Sequence, residues 1–90
     1  MSRTKPDHVL ARTVRGLRED RGTTREALAF ESDITTGALA RIELGYSSPR
    51  WPTLRAIARG LGLRIDQLVD VVEATRAVEE STELIGEASV

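Results

Sequence analysis

The chain has 90 residues, which at roughly 100–200 residues per domain allows one compact domain and a short extension. It contains no Cys and one His, which excludes a disulfide framework, a thiolate metal site, a Cys nucleophile and a multi-His zinc site. No apolar run reaches the length of a signal-peptide core or a membrane helix. We therefore expect a small, soluble, cytoplasmic protein without metal or cofactor, and the composition argues against enzyme chemistry.

The net charge of −1 conceals an uneven distribution of charge along the chain. Residues 1–64 hold 12 basic and 7 acidic side chains, whereas residues 65–90 hold 1 basic and 7 acidic ones. All the cations except Lys5 are Arg, which suits bidentate contacts with phosphate or guanine. A basic body with an acidic tail indicates a polyanionic partner, although solvated helix faces of varying sign would give the same distribution.

The first predicted helix begins after Asp7, whose carboxylate can cap it. Leu10, Val14 and Leu17 recur at helical spacing, and Gly22 is suited to end the helix. The second helix is predicted over 24–31 and the third over 35–44, each with its first threonine as N-cap.

Two further helices complete an all-α chain of five. The fourth is predicted from Trp51 to Leu61, with Pro52 tolerated in its first turn. The fifth begins near Ile65, its extent through 73–80 is open, and residues 81–90 are expected to be a frayed tail. The predicted elements divide the chain into a flexible N-terminus (1–6), a helical domain (7–72) and an acidic C-terminal extension (73–90).

The segment Arg25–Leu44 has the spacing of a helix-turn-helix. Its fifth residue is the small Ala29, and its tenth, fifteenth and eighteenth are the apolar Ile34, Leu39 and Ile42. A three-residue turn makes the helices cross steeply, which requires a small residue at the crossing. The second helix of such a unit can enter the major groove of DNA.

Four short motifs accompany this segment. They are L-R-E at Leu17–Glu19, R-I-E-x-G at Arg41–Gly45, P-R-W-P-T-L at Pro49–Leu54 and G-L-G-L-R-I-D-Q-L at Gly60–Leu68. In order and spacing they resemble the phage repressor/Cro, or XRE, family over roughly residues 9–70. The resemblance implies a five-helix repressor-like domain and a sequence-specific transcriptional regulator that binds double-stranded DNA.

The resemblance also implies that the third helix lies in the major groove. Its base-contacting positions would then be Thr35, Thr36, Gly37, Ala40 and Arg41. Arg41 is the best candidate for contact with guanine, and a phosphate contact or a plain exposed position is the alternative. Gly37 and Ala40 depart from the long polar residues common in the family, which favours methyl contacts and readout of DNA shape.

Phosphate contacts are expected on either side of this helix in the sequence. Arg25 begins the second helix, where the family often has Gln touching the backbone. Tyr46, Ser47, Ser48 and Arg50 follow the third helix, although an ordinary polar loop would have the same composition.

Other prominent residues are expected to be structural. Arg18 and Glu43 correspond to the family's partly buried ion pair between the first helix and the recognition helix. Trp51 and Phe30 could stack on bases, but packing is the favoured interpretation. His8 is expected at the surface.

A homodimer on a pseudo-palindromic operator is expected, with recognition helices about 34 Å apart. The predicted interface comprises Ile65, Leu68, Val69 and Val72, and the alternative is that Leu68 and Val69 close the monomer core. The size also resembles that of small repressors and of the controller proteins of restriction–modification systems. The alternative function is a protein-interaction module, an antitoxin or adaptor whose acidic extension binds a protein partner.

Overall fold

The computed structural model describes residues 7–88, with side chains through residue 82. Its helices are α1 (His8–Asp20), α2 (Arg25–Glu31), α3 (Thr36–Glu43), α4 (Trp51–Gly60) and α5 (Ile65–Ala88). The described part of the chain has no strand, which confirms the all-α prediction. No helix within it has the length and apolarity needed to cross a membrane. The predicted flexible N-terminus (1–6) and the acidic side chains of Glu83 and Glu87 lie outside the described residues.

The first three helices begin at side-chain N-caps, as predicted. Asp7 accepts a hydrogen bond from the backbone N–H of Leu10 at 3.0 Å. The hydroxyls of Thr24 and Thr35 accept from the backbone N–H three residues further on, at 3.1 and 3.0 Å. Each cap satisfies a backbone donor that has no partner within its helix.

The end of α3 is fixed by a close approach to α1. Gly45 follows α3 with a left-handed φ of 79°. A Cβ at this position would lie 2.5 Å from Nδ1 of His8, so a larger residue would have to move the His8 side chain and would also be strained by the positive φ. His8 is otherwise exposed, as predicted.

Helices α1 to α4 enclose the main core. Its fully buried members are Val14, Leu28, Ala29, Leu39, Ile42, Ile57 and Leu61. A second cluster joins α5 to this body through Ala58, Leu68 and Val72, with Ile65 partly buried against it. Leu68 and Val72, two of the predicted interface residues, are buried within the monomer, and their contribution to a dimer contact stays a prediction. Val69, by contrast, is 40% exposed.

The C-terminal extension continues α5 without interruption. The helix runs to Ala88, so the expectation of a frayed tail is wrong for residues 81–88. Two ion pairs join residues 76 and 79 of α5 to α1 and the residue before it. Arg76 pairs with Asp7 at 2.6 Å, and Glu79 pairs with Arg12 at 2.5 Å. These contacts join residues more than 60 positions apart, so local sequence pattern gives no sign of them.

The two large aromatic side chains do not pack as expected. Phe30 is 84% exposed on α2 and Trp51 is 57% exposed at the start of α4. The favoured interpretation of both as packing residues is wrong. Phe30 directly follows the buried Ala29, and one residue along a helix turns the side chain about 100° away from the core.

Candidate nucleic-acid interface

Helices α2 and α3 pack against each other across a connection of four residues, Ser32 to Thr35, the last of which is the N-cap of α3. The backbone N–H of Ile34 donates to the carbonyl of Ala29 at 3.1 Å, which closes the turn onto the end of α2. Asp33 has a φ of 56°, the left-handed conformation that glycine adopts most readily. The turn therefore fixes the direction of α3 relative to α2.

Helix α3 buries one face and presents the other. Leu39 and Ile42 lie in the core, whereas Gly37 and Arg41 are exposed. Of the other predicted base-contacting residues, Thr36 and Ala40 are partly buried and Thr35 is exposed. The Thr35 hydroxyl accepts the capping hydrogen bond and keeps its own proton to donate. All five positions are at least partly accessible.

A buried carboxylate at the end of α3 attaches this helix to α1. Glu43 has a fully buried side chain and accepts from Arg18 Nε at 2.8 Å and Nη2 at 2.9 Å. Arg18 also donates to the carbonyl of Thr23 at 3.0 Å. The hydrogen bond to Glu43 raises the pKa of Arg18, although desolvation acts in the opposite direction. The ion pair expected from the resemblance is present, and the geometry is bidentate.

Arg25 joins the same carboxylate, which sequence reasoning missed. Its Nε donates to Oε1 of Glu43 at 3.2 Å, and its side chain is 31% exposed. The first residue of α2 is thereby held beside the last residue of α3. A single carboxylate thus orients one arginine in the interior and another at the surface.

The loop between α3 and α4 is anchored to the last turn of α3. The backbone N–H groups of Tyr46 and Ser47 both donate to the carbonyl of Arg41, at 2.8 and 3.3 Å. Tyr46 is exposed and Ser47 is partly buried. Ser48 is exposed, and its hydroxyl accepts from the backbone N–H of Asp7 at 3.3 Å. The exposed Arg50 is the N-cap residue of α4.

The segment 34–65, which contains α3, carries an excess of positive charge, although the exposed Asp33 lies immediately before it. Residues 34–65 contain five arginines and a single acidic residue, Glu43, whose side chain is buried. Within the described residues, Arg41 and Arg50 form no ion pair. Such a surface attracts a polyanion, and its arginines are free to meet one.

Comparison with known protein families identifies the family to which the chain belongs. The family model described as helix-turn-helix matches residues 14–68, more than half of the chain. The chain belongs to the XRE-type helix-turn-helix family. This confirms the resemblance inferred from the motifs. No curated protein sequence matches the chain.

Solved structures of low sequence identity share the fold. The clp gene regulator ClgR from Corynebacterium glutamicum is 22% identical, with 90% of this chain and 86% of that chain covered and a TM-score of 0.83. The restriction-modification controller protein C.Esp1396I is 18% identical, with coverages of 78% and 91% and a TM-score of 0.73. The controller protein C.AhdI from Aeromonas hydrophila is 23% identical, with coverages of 68% and 92% and a TM-score of 0.65.

By its family, the chain is a DNA-binding transcriptional regulator.

Proposed function

We propose that this chain binds specific DNA sequences by placing α3 in the major groove. The observation that carries the proposal is the exposed face of α3 with its unpaired Arg41, which a buried ion-pair network at the end of the helix holds in place. A rigid support is what readout of base edges requires, because hydrogen bonds to bases tolerate little positional error.

The bases are read by the exposed side of α3. Arg41 donates a bidentate pair to guanine, and Thr35 and Thr36 offer hydroxyl and methyl contacts. Gly37 and Ala40 carry no polar side-chain atoms, so they let the helix approach the groove closely. Because only a few side chains can form hydrogen bonds, DNA shape contributes to specificity.

The phosphates on each strand are held by residues next to α3. Arg25 reaches the backbone from the start of α2, where Glu43 fixes its guanidinium. Tyr46, Ser47, Ser48 and Arg50 supply hydroxyl groups and a cation from the loop after α3. These contacts set the register of the protein on the duplex without reading its sequence.

The chain acts as a homodimer on a pseudo-palindromic operator. A groove of about 160 Å³ lies between the start of α1, α4 and α5. Its apolar lining is Leu10, Leu54, Leu68, Val69 and Val72, and Asp7, Glu73 and Arg76 line its charged end. Leu68 and Val72 form its floor, and the exposed Val69 is the apolar side chain that a second subunit can cover. A two-fold axis here would present two copies of α3 to successive major grooves.

Replacement of single arginines tests these roles. Arg41→Ala is expected to relax specificity at one position of each half-site, with a loss of about 1–3 kcal/mol of discrimination against the wrong base. Arg50→Ala is expected to weaken binding to all sequences equally and to reduce the salt slope by roughly one unit per lost contact. Arg15→Ala is the control, because Arg15 pairs with Glu19 on α1.

Fluorescence anisotropy on a panel of duplexes with single base changes separates these outcomes. If Arg41→Ala weakens binding to every duplex equally, Arg41 is a phosphate contact and the assignment to bases is wrong. If neither substitution weakens binding more than the control does, α3 and its loop are not the DNA-binding surface.

A further inference from the structure

A second group of exposed arginines lies where the end of α1 meets the turn between α4 and α5. Arg55 and Arg59 are one helical turn apart on α4, and with Arg64 they line a groove of about 330 Å³. The guanidinium of Arg21 lies against the turn, since a Cβ at Gly62 would be 3.1 Å from its nitrogens. We call Arg21, Arg55, Arg59 and Arg64 the basic corner.

The positive charge of the basic corner is largely uncompensated. Arg64 pairs with Asp66 at 3.1 Å, and both side chains are exposed. Among the residues that the structure describes, Arg21, Arg55 and Arg59 form no ion pair. Helix α4 contains no acidic residue, so it offers its two arginines no i,i+4 partner. Neighbouring like charges repel, and binding of an anion relieves that repulsion.

The basic corner is connected to the proposed DNA-binding surface by the short segment of chain between α1 and α2. Arg21 is the C-cap residue of α1, and α2 begins only four residues later at Arg25. The intervening stretch of chain is fixed at Thr23, whose carbonyl accepts from Arg18 and whose backbone N–H donates to the Arg18 carbonyl. Arg21 therefore lies along the chain between the proposed phosphate contact at Arg25 and the groove lined by Arg55, Arg59 and Arg64. The exposed Asp20, Glu26 and Glu31 interrupt the positive charge between them.

We propose that the basic corner binds phosphates of duplex DNA that flank the bases read by α3. This inference rests on the proposed function and adds to it a dependence on neighbouring DNA of any sequence. Duplex DNA carries a negative charge about every 1.7 Å along its axis, so arginines beyond the site have phosphates available on the flanking DNA. Arginine forks bind phosphate oxygens in pairs and require no particular base.

Duplexes of two lengths provide the test. Both contain the sequence that the protein selects from a randomised library; one ends at the site, about two helical turns long, and the other adds about one turn of arbitrary sequence on each side. We expect the wild-type protein to bind the longer duplex more tightly and with a steeper dependence on salt. In Arg55→Gln/Arg59→Gln the extra salt slope should fall by roughly one unit per lost phosphate contact, whereas binding to the short duplex should not change.

The matched control is Arg12→Gln/Arg15→Gln, which removes the same charge from arginines paired with Glu79 and Glu19. Because the control variant is measured on both duplexes, it also corrects for the larger number of non-specific sites on the longer one. Equal salt slopes on the two duplexes for wild-type protein would overturn the proposal, as would an equal loss in the control. A shift of the Arg55→Gln/Arg59→Gln variant toward monomer in sedimentation would show instead that the corner binds a second copy. Failure of wild-type protein to bind even the short duplex would refute the proposed function itself.

Discussion

The carboxylate of Glu43 accepts hydrogen bonds from Arg18 and Arg25 while its side chain remains fully buried. Transfer of a carboxylate from water into the protein interior costs several kcal/mol, and these charge-assisted hydrogen bonds offset that cost. The energetic importance of the pair therefore lies mainly in what happens when one partner is removed. An uncompensated charge would then remain between α1 and α3.

Replacement of Glu43 by Leu is expected to lower the free energy of unfolding by about 3–5 kcal/mol, because it leaves Arg18 buried without its partner. The double variant Arg18→Met/Glu43→Leu should recover a substantial part of that loss. Urea unfolding of Arg18→Met, Glu43→Leu and the double variant measures the coupling energy between the two side chains. Additive losses in the double variant would show that the two side chains contribute independently.

Asp33 adopts a left-handed conformation in the turn between α2 and α3. Side chains with a Cβ are disfavoured there, although Asp tolerates this region better than most residues. We expect Asp33→Gly to be the most stable of the three proteins, wild-type Asp33 to be intermediate and Asp33→Ala to be the least stable. The free energies of unfolding of Asp33→Gly and Asp33→Ala should differ by about 1 kcal/mol. Thermal unfolding of the three proteins gives the order. An alanine variant as stable as the glycine variant would contradict the interpretation of strain in this turn.

At the scale of the helices, the sequence was most informative where a local rule operates. Capping side chains and apolar spacing depend on residues within one turn of each other, so the starts of α1, α2 and α3 could be predicted. The continuation of α5 could not, because it depends on two distant pairs: Arg76 with Asp7, the residue before α1, and Glu79 with Arg12 on α1. The exposure of Phe30 was also missed, since apolar character alone does not give the direction of a side chain on a short helix.

The candidate site also has features that the sequence predicts and features that it does not. Accessibility of α3 and the position of Arg25 follow from the helix-turn-helix pattern, whereas the bond between Arg25 and Glu43 depends on three-dimensional packing. Which side chains touch bases stays a prediction, because the answer depends on the shape and sequence of the DNA as well as on the protein.

The contact between Asp7 and Arg76 makes the attachment of α5 dependent on pH. Burial raises the pKa of Asp7, but the backbone N–H of Leu10 and the guanidinium of Arg76 outweigh it and lower the pKa below the ordinary 3.8. The resulting stabilisation is complete at pH values above 3.8 and is lost as the pH falls through the lower folded-state pKa. Asp7→Asn keeps a capping oxygen but removes this charge.

We therefore expect Asp7→Asn to be less stable than wild-type protein near neutral pH, with a difference that disappears in acid. Thermal unfolding at a series of pH values measures it. Asp70→Asn, at an exposed position of α5, serves as the control and should show no such trend. A difference between wild-type protein and Asp7→Asn that is constant with pH would mean that the ion pair contributes nothing.

At the scale of the whole molecule, α5 has two sides with different roles. Leu68 and Val72 attach it to the core, and Val69 points into the open groove beside Leu54. Val71 borders a separate groove against α1. Only the first groove is proposed as the dimer contact, so equivalent substitutions on the two sides of α5 should differ in effect.

Val69→Asp is expected to shift the protein toward monomer in sedimentation velocity, since a charge would be desolvated at the subunit contact. Val71→Asp introduces the same charge on the other side of the helix and should leave the association state unchanged. Circular dichroism verifies that both variants remain folded. Loss of the dimer in Val71→Asp but not in Val69→Asp would place the interface along α1 and α5.

Selection from a randomised duplex library at near-physiological salt, followed by sequencing, is the decisive test of DNA reading by α3. Two subunits related by a two-fold axis, each reading bases through α3, predict enrichment of a symmetric motif whose half-sites are about one helical turn apart. Retention of DNA without an enriched motif would show that the protein binds only the backbone, and no retention would contradict the assignment of α3 as a DNA-reading helix.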